Sequence, residues 1–180
     1  LMPSDFAAVA LINAVIHYLG LFVQSGLSTV VVQKKELDNK DISTLMTYSL
    51  CTATLLYISI FFLAPLLSNY YNVGDLILPI RVAALSLFLY SFNSIQTGIL
   101  SRQMRFRTIF FLSIVAMPIA AVIAITMAFC GMGIWALICN TLLNILLTVI
   151  IMNTMPELRI KLGFSFIRFK QLFSFSGKIL

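Results

Sequence analysis

The sequence predicts an all-α, polytopic membrane bundle with five complete transmembrane helices and the start of a sixth. Three observations predict it. Five apolar runs each approach or exceed the length of about 20 helical residues that a hydrocarbon core of about 30 Å requires. The chain is 61% apolar and only 10% charged, with a mean hydropathy of +1.03, whereas a soluble domain carries about 25% charged residues. Finally, every basic residue but Arg81 falls on alternate connections between the runs. Lys34, Lys35 and Lys40 follow the first run; Arg102, Arg105 and Arg107 follow the third; Arg159, Lys161, Arg168, Lys170 and Lys178 follow the fifth. Lysine and arginine beside span ends stay on the cytoplasmic side, so the alternation predicts an orientation as well as a class.

The first run, Phe6–Val32, is preceded by Pro3, which a helix start tolerates because its missing N–H would be unpaired there anyway. Leu45–Leu67 follows, with Tyr70 and Tyr71 at its outer end, where amphipathic rings favour the headgroup level. Ile80–Leu100 has Pro79 in its first turn. Ile109–Phe129 carries Pro118 in mid-span, where the lost backbone bond predicts a kink. Gly131 and Gly133 then allow a tight antiparallel turn into Ile134–Met155, with Trp135 at the interface and Pro156 closing the helix. All five runs are about twice the length of a barrel strand and lack strict alternation, which excludes a transmembrane β-barrel.

This orientation puts residues 1–5 outside and 157–171 in the cytoplasm. Residues 1–156 form a bundle. Residues 157–180 mix basic residues with Phe164, Phe166, Phe169 and Phe173, as in a segment lying in the inner interface, and a new apolar stretch starts near Leu172. A chain that starts outside at Leu1 without a signal sequence, and stops inside an apolar stretch, reads as part of a longer one.

The net charge of +6 is divided among three short connections, which suits contact with anionic lipid headgroups and not a nucleic-acid groove. Cys51, Cys130 and Cys139 lack CxxC spacing and read as small packing residues. No catalytic, cofactor-binding or metal-ligating set is expected, since no Asp or Glu lies within a span and the lone histidine, His17, has no ligand partners at suitable spacing.

Polar residues inside the spans recur at helical steps. Asn13, His17, Gly20, Gln24 and Ser28 share one face of the first span. Ser86, Tyr90, Asn93 and Thr97 repeat the pattern on the third, and Asn140, Asn144 and Thr148 on the fifth. Two readings stay open. These faces either hydrogen-bond between helices, at about 0.6 kcal/mol per contact, or line a hydrated path for a polar cargo. Asn13, His17, Gln24 and Asn93 are the path candidates. Arg81, off that stripe at the outer end of the third span, either snorkels to the interface or meets an anionic headgroup.

Leu1-Met-Pro-Ser-Asp-Phe, Gly26-Leu-Ser-Thr-Val-Val-Val-Gln-Lys-Lys with Asp41-Ile-Ser-Thr, Pro79-Ile-Arg-Val-Ala-Ala-Leu-Ser, Arg102-Gln-Met-Arg-Phe and Gly131-Met-Gly-Ile-Trp-Ala-Leu follow one another in order. The ordered set resembles the Wzx-type polysaccharide and lipopolysaccharide flippases of the multidrug/oligosaccharidyl-lipid/polysaccharide exporter superfamily. Ala7 stands where that family usually has glycine. The resemblance implies that the five spans are helices two to six of a two-lobed exporter of twelve to fourteen helices. Residues 157–180 would then link the lobes. It further implies a bacterial inner-membrane protein that moves a polyprenyl-pyrophosphate-linked oligosaccharide, such as an O-antigen repeat unit, by alternating access and without a cofactor. A polysaccharide polymerase or export complex is an implied partner, and Arg81 the implied contact for the pyrophosphate.

Two alternatives differ in what they require. A multidrug or cation antiporter of the same superfamily calls for an acidic residue within the lobe. A membrane glycosyltransferase or polymerase calls for an outer loop with acid, base or metal-binding groups, and the connection around Ser68–Pro79 offers only Asp75.

Overall fold

The computed structural model describes residues 3–24, 31–32, 38–70, 76–155 and 158, and all regular structure among them is helical. The helices with described bounds are, in order, α1 Pro3–Gln24, α2 Asn39–Tyr70, α3 Ile77–Ala83, α4 Ser86–Arg102, α5 Phe106–Phe129 and α6 Ile134–Thr154. Four stretches are long and apolar enough to cross a membrane: Lys40–Leu66, Ile77–Arg102, Phe106–Phe129 and Ile134–Thr154. The apolar part of α1, Val9–Gln24, is shorter. Most of the remainder of the predicted first span, and nearly all of the segment 157–180, lies outside the described residues.

The helix α2 starts before the predicted span and runs for 32 residues, passing through Pro65. Its start is set by polar chemistry. The Asp38 backbone N–H donates to Asp41 Oδ2 at 3.2 Å, half of a capping box, and the carboxylate sits in the first turn where the helix dipole favours it.

The predicted third span lies within the single apolar stretch Ile77–Arg102, with one tightened turn between α3 and α4. Between α3 and α4 the N–H groups of Leu85, Leu87 and Phe88 bond three residues back, to Val82, Ala84 and Leu85. This tightening has a local cause: the Ser86 hydroxyl donates to the Ala83 carbonyl at 2.7 Å and so replaces the backbone donor an α-helix would supply. Pro79 lies inside the first turn of α3. By contrast, Pro118 lies within an uninterrupted α5.

The tight connection expected at Gly131 and Gly133 is present. Gly131 adopts φ +78°, the Met132 N–H bonds to Met127 and the Gly131 N–H to Ala128, a Schellman ending that needs a left-handed residue. The same ending closes α4, where Arg105 N–H bonds to Leu100 and Met104 N–H to Ser101. There the left-handed residue is Met104, at φ +56°.

Packing forms two apolar clusters stacked along the bundle. In one cluster, Ile12, Ile16 and Val23 of α1 meet Ala53 and Ile60 of α2, Ile80 and Leu87, and Ile138 of α6. At the basic end, Leu45 and Met46 meet Ile95, Ile99, Leu112, Met152 and Leu158. The third span contributes to both clusters and is the most buried of the four. The hairpin of α5 and α6 is joined along Leu112, Ala116, Ala120 and Ala124, which are buried at steps of four. Small side chains let two backbones approach closely in lipid, where packing rather than the hydrophobic effect drives association. On its other sides α5 exposes Phe110, Phe111, Ile114, Val122, Ile125 and Phe129, a surface suited to acyl chains.

Candidate functional site

Helices α1, α3, α4 and α6 enclose a partly open cavity of about 260 Å³. Its apolar wall is Ile16, Ala83, Ile138 and Leu142; its polar groups are Asn13 and His17 from α1, Ser86 and Tyr90 from α4, and Thr141 from α6. The four-residue step from Asn13 to His17 and from Ser86 to Tyr90 places each pair on one helix face, and the two faces meet here. Tyr90 is held against α1 because residue 20 is glycine: a Cβ there would lie 3.2 Å from Tyr90 Cδ2 and 3.3 Å from Cε2. Asn13 and Tyr90 are half-buried, and His17 stands exposed at the opening.

Two of the hydroxyls are partly committed. Ser86 donates to Ala83 as described, and Thr141 Oγ1 donates to the Leu137 carbonyl at 3.4 Å. Both remain acceptors toward the cavity. Among the described residues, the lining carries no Asp, Glu, Lys or Arg.

The other candidates fall elsewhere. Gln24 is half-buried, and its Nε2 lies 3.6 Å from where a Gly20 Cβ would sit, so it extends along its own helix. Asn93 accepts from Thr97 Oγ1 at 3.4 Å within α4. Arg81 lies on α3 with its guanidinium carbon 3.7 Å from the Phe61 ring centroid, a cation–π contact across to α2. One guanidinium nitrogen donates to the Phe61 carbonyl at 3.4 Å, while the buried Nε has no hydrogen-bond partner among the described residues. Arg81 is therefore tied to α2 through Phe61.

Several polar groups were not singled out by the stripes. Ser91, Ser94 and Gln96 of α4 are all buried. Ser91 Oγ lies 3.3 Å from the Ser49 carbonyl of α2, and Gln96 Nε2 donates to the Leu158 carbonyl at 3.4 Å. Thr141 reaches the cavity while the predicted Asn140 does not line it. Many remaining hydroxyls are satisfied within their own helix: Thr54 donates to Leu50 and Ser59 to Leu55, and Thr148 to Asn144. Such back-bonding lets a serine or threonine face lipid without an interhelical partner. Among the described residues, no group of three or more His, Cys, Asp or Glu could hold a metal ion.

Comparison with known proteins extends this picture. Residues 1–180 match the family described as Polysaccharide biosynthesis protein. Over 146 residues the chain is 25% identical to the succinoglycan biosynthesis transport protein ExoT of Rhizobium meliloti (strain 1021), an alignment covering 81% of this chain and 30% of that relative. The chain thus spans less than a third of the relative's length. No solved structure matches it.

Proposed function

The chain belongs to the polysaccharide biosynthesis protein family, and on that footing we propose that it is part of the first lobe of a Wzx-type flippase of the multidrug/oligosaccharidyl-lipid/polysaccharide exporter superfamily. The whole protein moves a polyprenyl-pyrophosphate-linked oligosaccharide across the bacterial inner membrane by alternating access. It performs no covalent chemistry. The observation that carries the reading is the meeting of two polar helix faces, Asn13–His17 and Ser86–Tyr90, around one cavity inside an otherwise apolar bundle. A purely structural bundle has no need to keep such groups around open space, because buried polar groups without partners are costly. The transport function in the name of the R. meliloti relative agrees.

In this reading the five spans are helices two to six, residues 157–180 join the lobes at the cytoplasmic face, and anionic lipids contact the basic connections. Arg81 serves the pyrophosphate: its buried Nε–H has no partner among the described residues and the Phe61 contact holds the guanidinium in place. Polymerase or export proteins would take over the delivered repeat units.

The test is loss and restoration of export. Deleting the full-length gene in a host without a second flippase is expected to abolish surface polysaccharide and to leave completed lipid-linked repeat units on the inner leaflet. Unchanged surface polysaccharide in that strain would overturn the proposal.

A further inference from the structure

We infer that the cavity between α1, α4 and α6 is a subsite for one uncharged, hydroxyl-rich ring, a single glycosyl unit, and not for the phosphate groups or a cation. The source of that ring rests on the lipid-linked glycan reading above; the chemistry of the site stands on its lining.

Size sets the first limit. A cavity of about 260 Å³ lies just under the range of about 300–1,000 Å³ that holds drug-sized ligands, so one ring fills it and any further part of a glycan lies outside its opening. Charge sets the second. A phosphate placed there would meet no lysine or arginine among the described residues, and a desolvated anion without a cation is strongly disfavoured. The nearest basic group on the same span, Arg81, is turned to Phe61 on α2. A metal ion or organic cation would find no carboxylate among the described lining residues.

What the walls do offer matches a polyol. The Asn13 amide can donate and accept, as can the Tyr90 hydroxyl, and neither makes a hydrogen bond to another described residue. Ser86 and Thr141, having donated to their own helices, present acceptors. A sugar ring needs this mixture, since each hydroxyl both donates and accepts. The ring of Tyr90, fixed by Gly20, supplies an aromatic surface for the C–H face of a pyranose, and Ile16, Ile138 and Leu142 complete an apolar floor. His17 at the opening adds a further ring-nitrogen donor or acceptor. Few polar groups fixing orientation over a mostly apolar lining is the usual composition of a small-molecule site.

The experiment uses the full-length protein in nanodiscs and the methyl glycosides of glucose, galactose, mannose and N-acetylglucosamine, read by saturation-transfer difference NMR. Ring-proton signal is expected from at least one glycoside, cut fivefold or more by Asn13→Leu and by Thr141→Val, kept by Ser113→Ala on the exposed face of α5, and unaffected by excess inorganic pyrophosphate. Should Asn13→Leu fail to fold, Thr141→Val, which preserves shape, gives the same reading. No signal from any of the four, or signal equal in wild type and Thr141→Val, overturns the subsite. Flipping of lipid-linked oligosaccharide in vesicles is measured beside it. Glycoside binding without flipping would remove the proposed function and leave the subsite; flipping without glycoside binding would do the reverse.

Discussion

Gly20 of α1 lies so close to the Tyr90 ring of α4 that a single added carbon would stand 3.2 Å from it. The contact closes one side of the cavity and sets the position of the ring that lines it. Gly20→Ala is expected to be tolerated with the ring displaced by a few tenths of an ångström. Gly20→Leu should overpack the helix pair and cost about 1–3 kcal/mol. Thermal unfolding of the full-length protein in detergent checks this, and equal melting temperatures for Gly20→Leu and wild type would refute it.

Ala116 and Ala120 are both fully buried on the face of α5 that meets α6. Replacing both by leucine should separate the hairpin and lower stability by about 1–3 kcal/mol per site. Leucine at Val122 and Ile125 on the exposed face, by comparison, should change little. The paired melting curves decide it.

Met104 occupies the left-handed position of a Schellman ending and is 77% exposed. A non-glycine residue there costs about 1–2 kcal/mol. Glycine removes that strain but adds back about 0.5–1 kcal/mol of chain entropy, so Met104→Gly should gain about 0.5–1 kcal/mol. A melting temperature below that of wild type would show that Met104 makes compensating contacts.

Cys130 is exposed beside the turn between α5 and α6, and Arg105 is exposed at the opposite end of α5. The orientation read from the basic residues has Cys130 outside and Arg105 in the cytoplasm. In intact cells a membrane-impermeant maleimide should label Cys130 and should label Arg105→Cys, in a Cys130→Ser background, only after permeabilisation. The reverse pattern would invert the topology.

How much of this was legible depends on which interaction decides each feature. Hydropathy is averaged over many residues, so the four long apolar stretches could be read directly, and the glycines marked the turn at Gly131–Gly133. The tightened turn at Ala84–Leu85 could not be read, because no proline or glycine marks it; one Ser86 hydroxyl makes it. Helical spacing groups Asn13 with His17 and Ser86 with Tyr90, and these four line one cavity. It left open which of several polar faces of α4 meets which neighbour. Ser91 lies toward α2 and Gln96 toward Leu158, a choice set by tertiary packing. Thr141 rather than Asn140 reaches the cavity, a rotation of one residue about the α6 axis that periodicity cannot resolve.

The alanine column between α5 and α6 also bears on how the protein is made. From Thr108 to Met155 the chain carries no charged residue, and its turn at Gly131–Gly133 is short. Nothing in this stretch has to be dragged through hydrocarbon as an ion. Because Ala116, Ala120 and Ala124 let the two backbones lie against each other without help from α1 or α2, the pair can leave the translocon as a single preassembled hairpin.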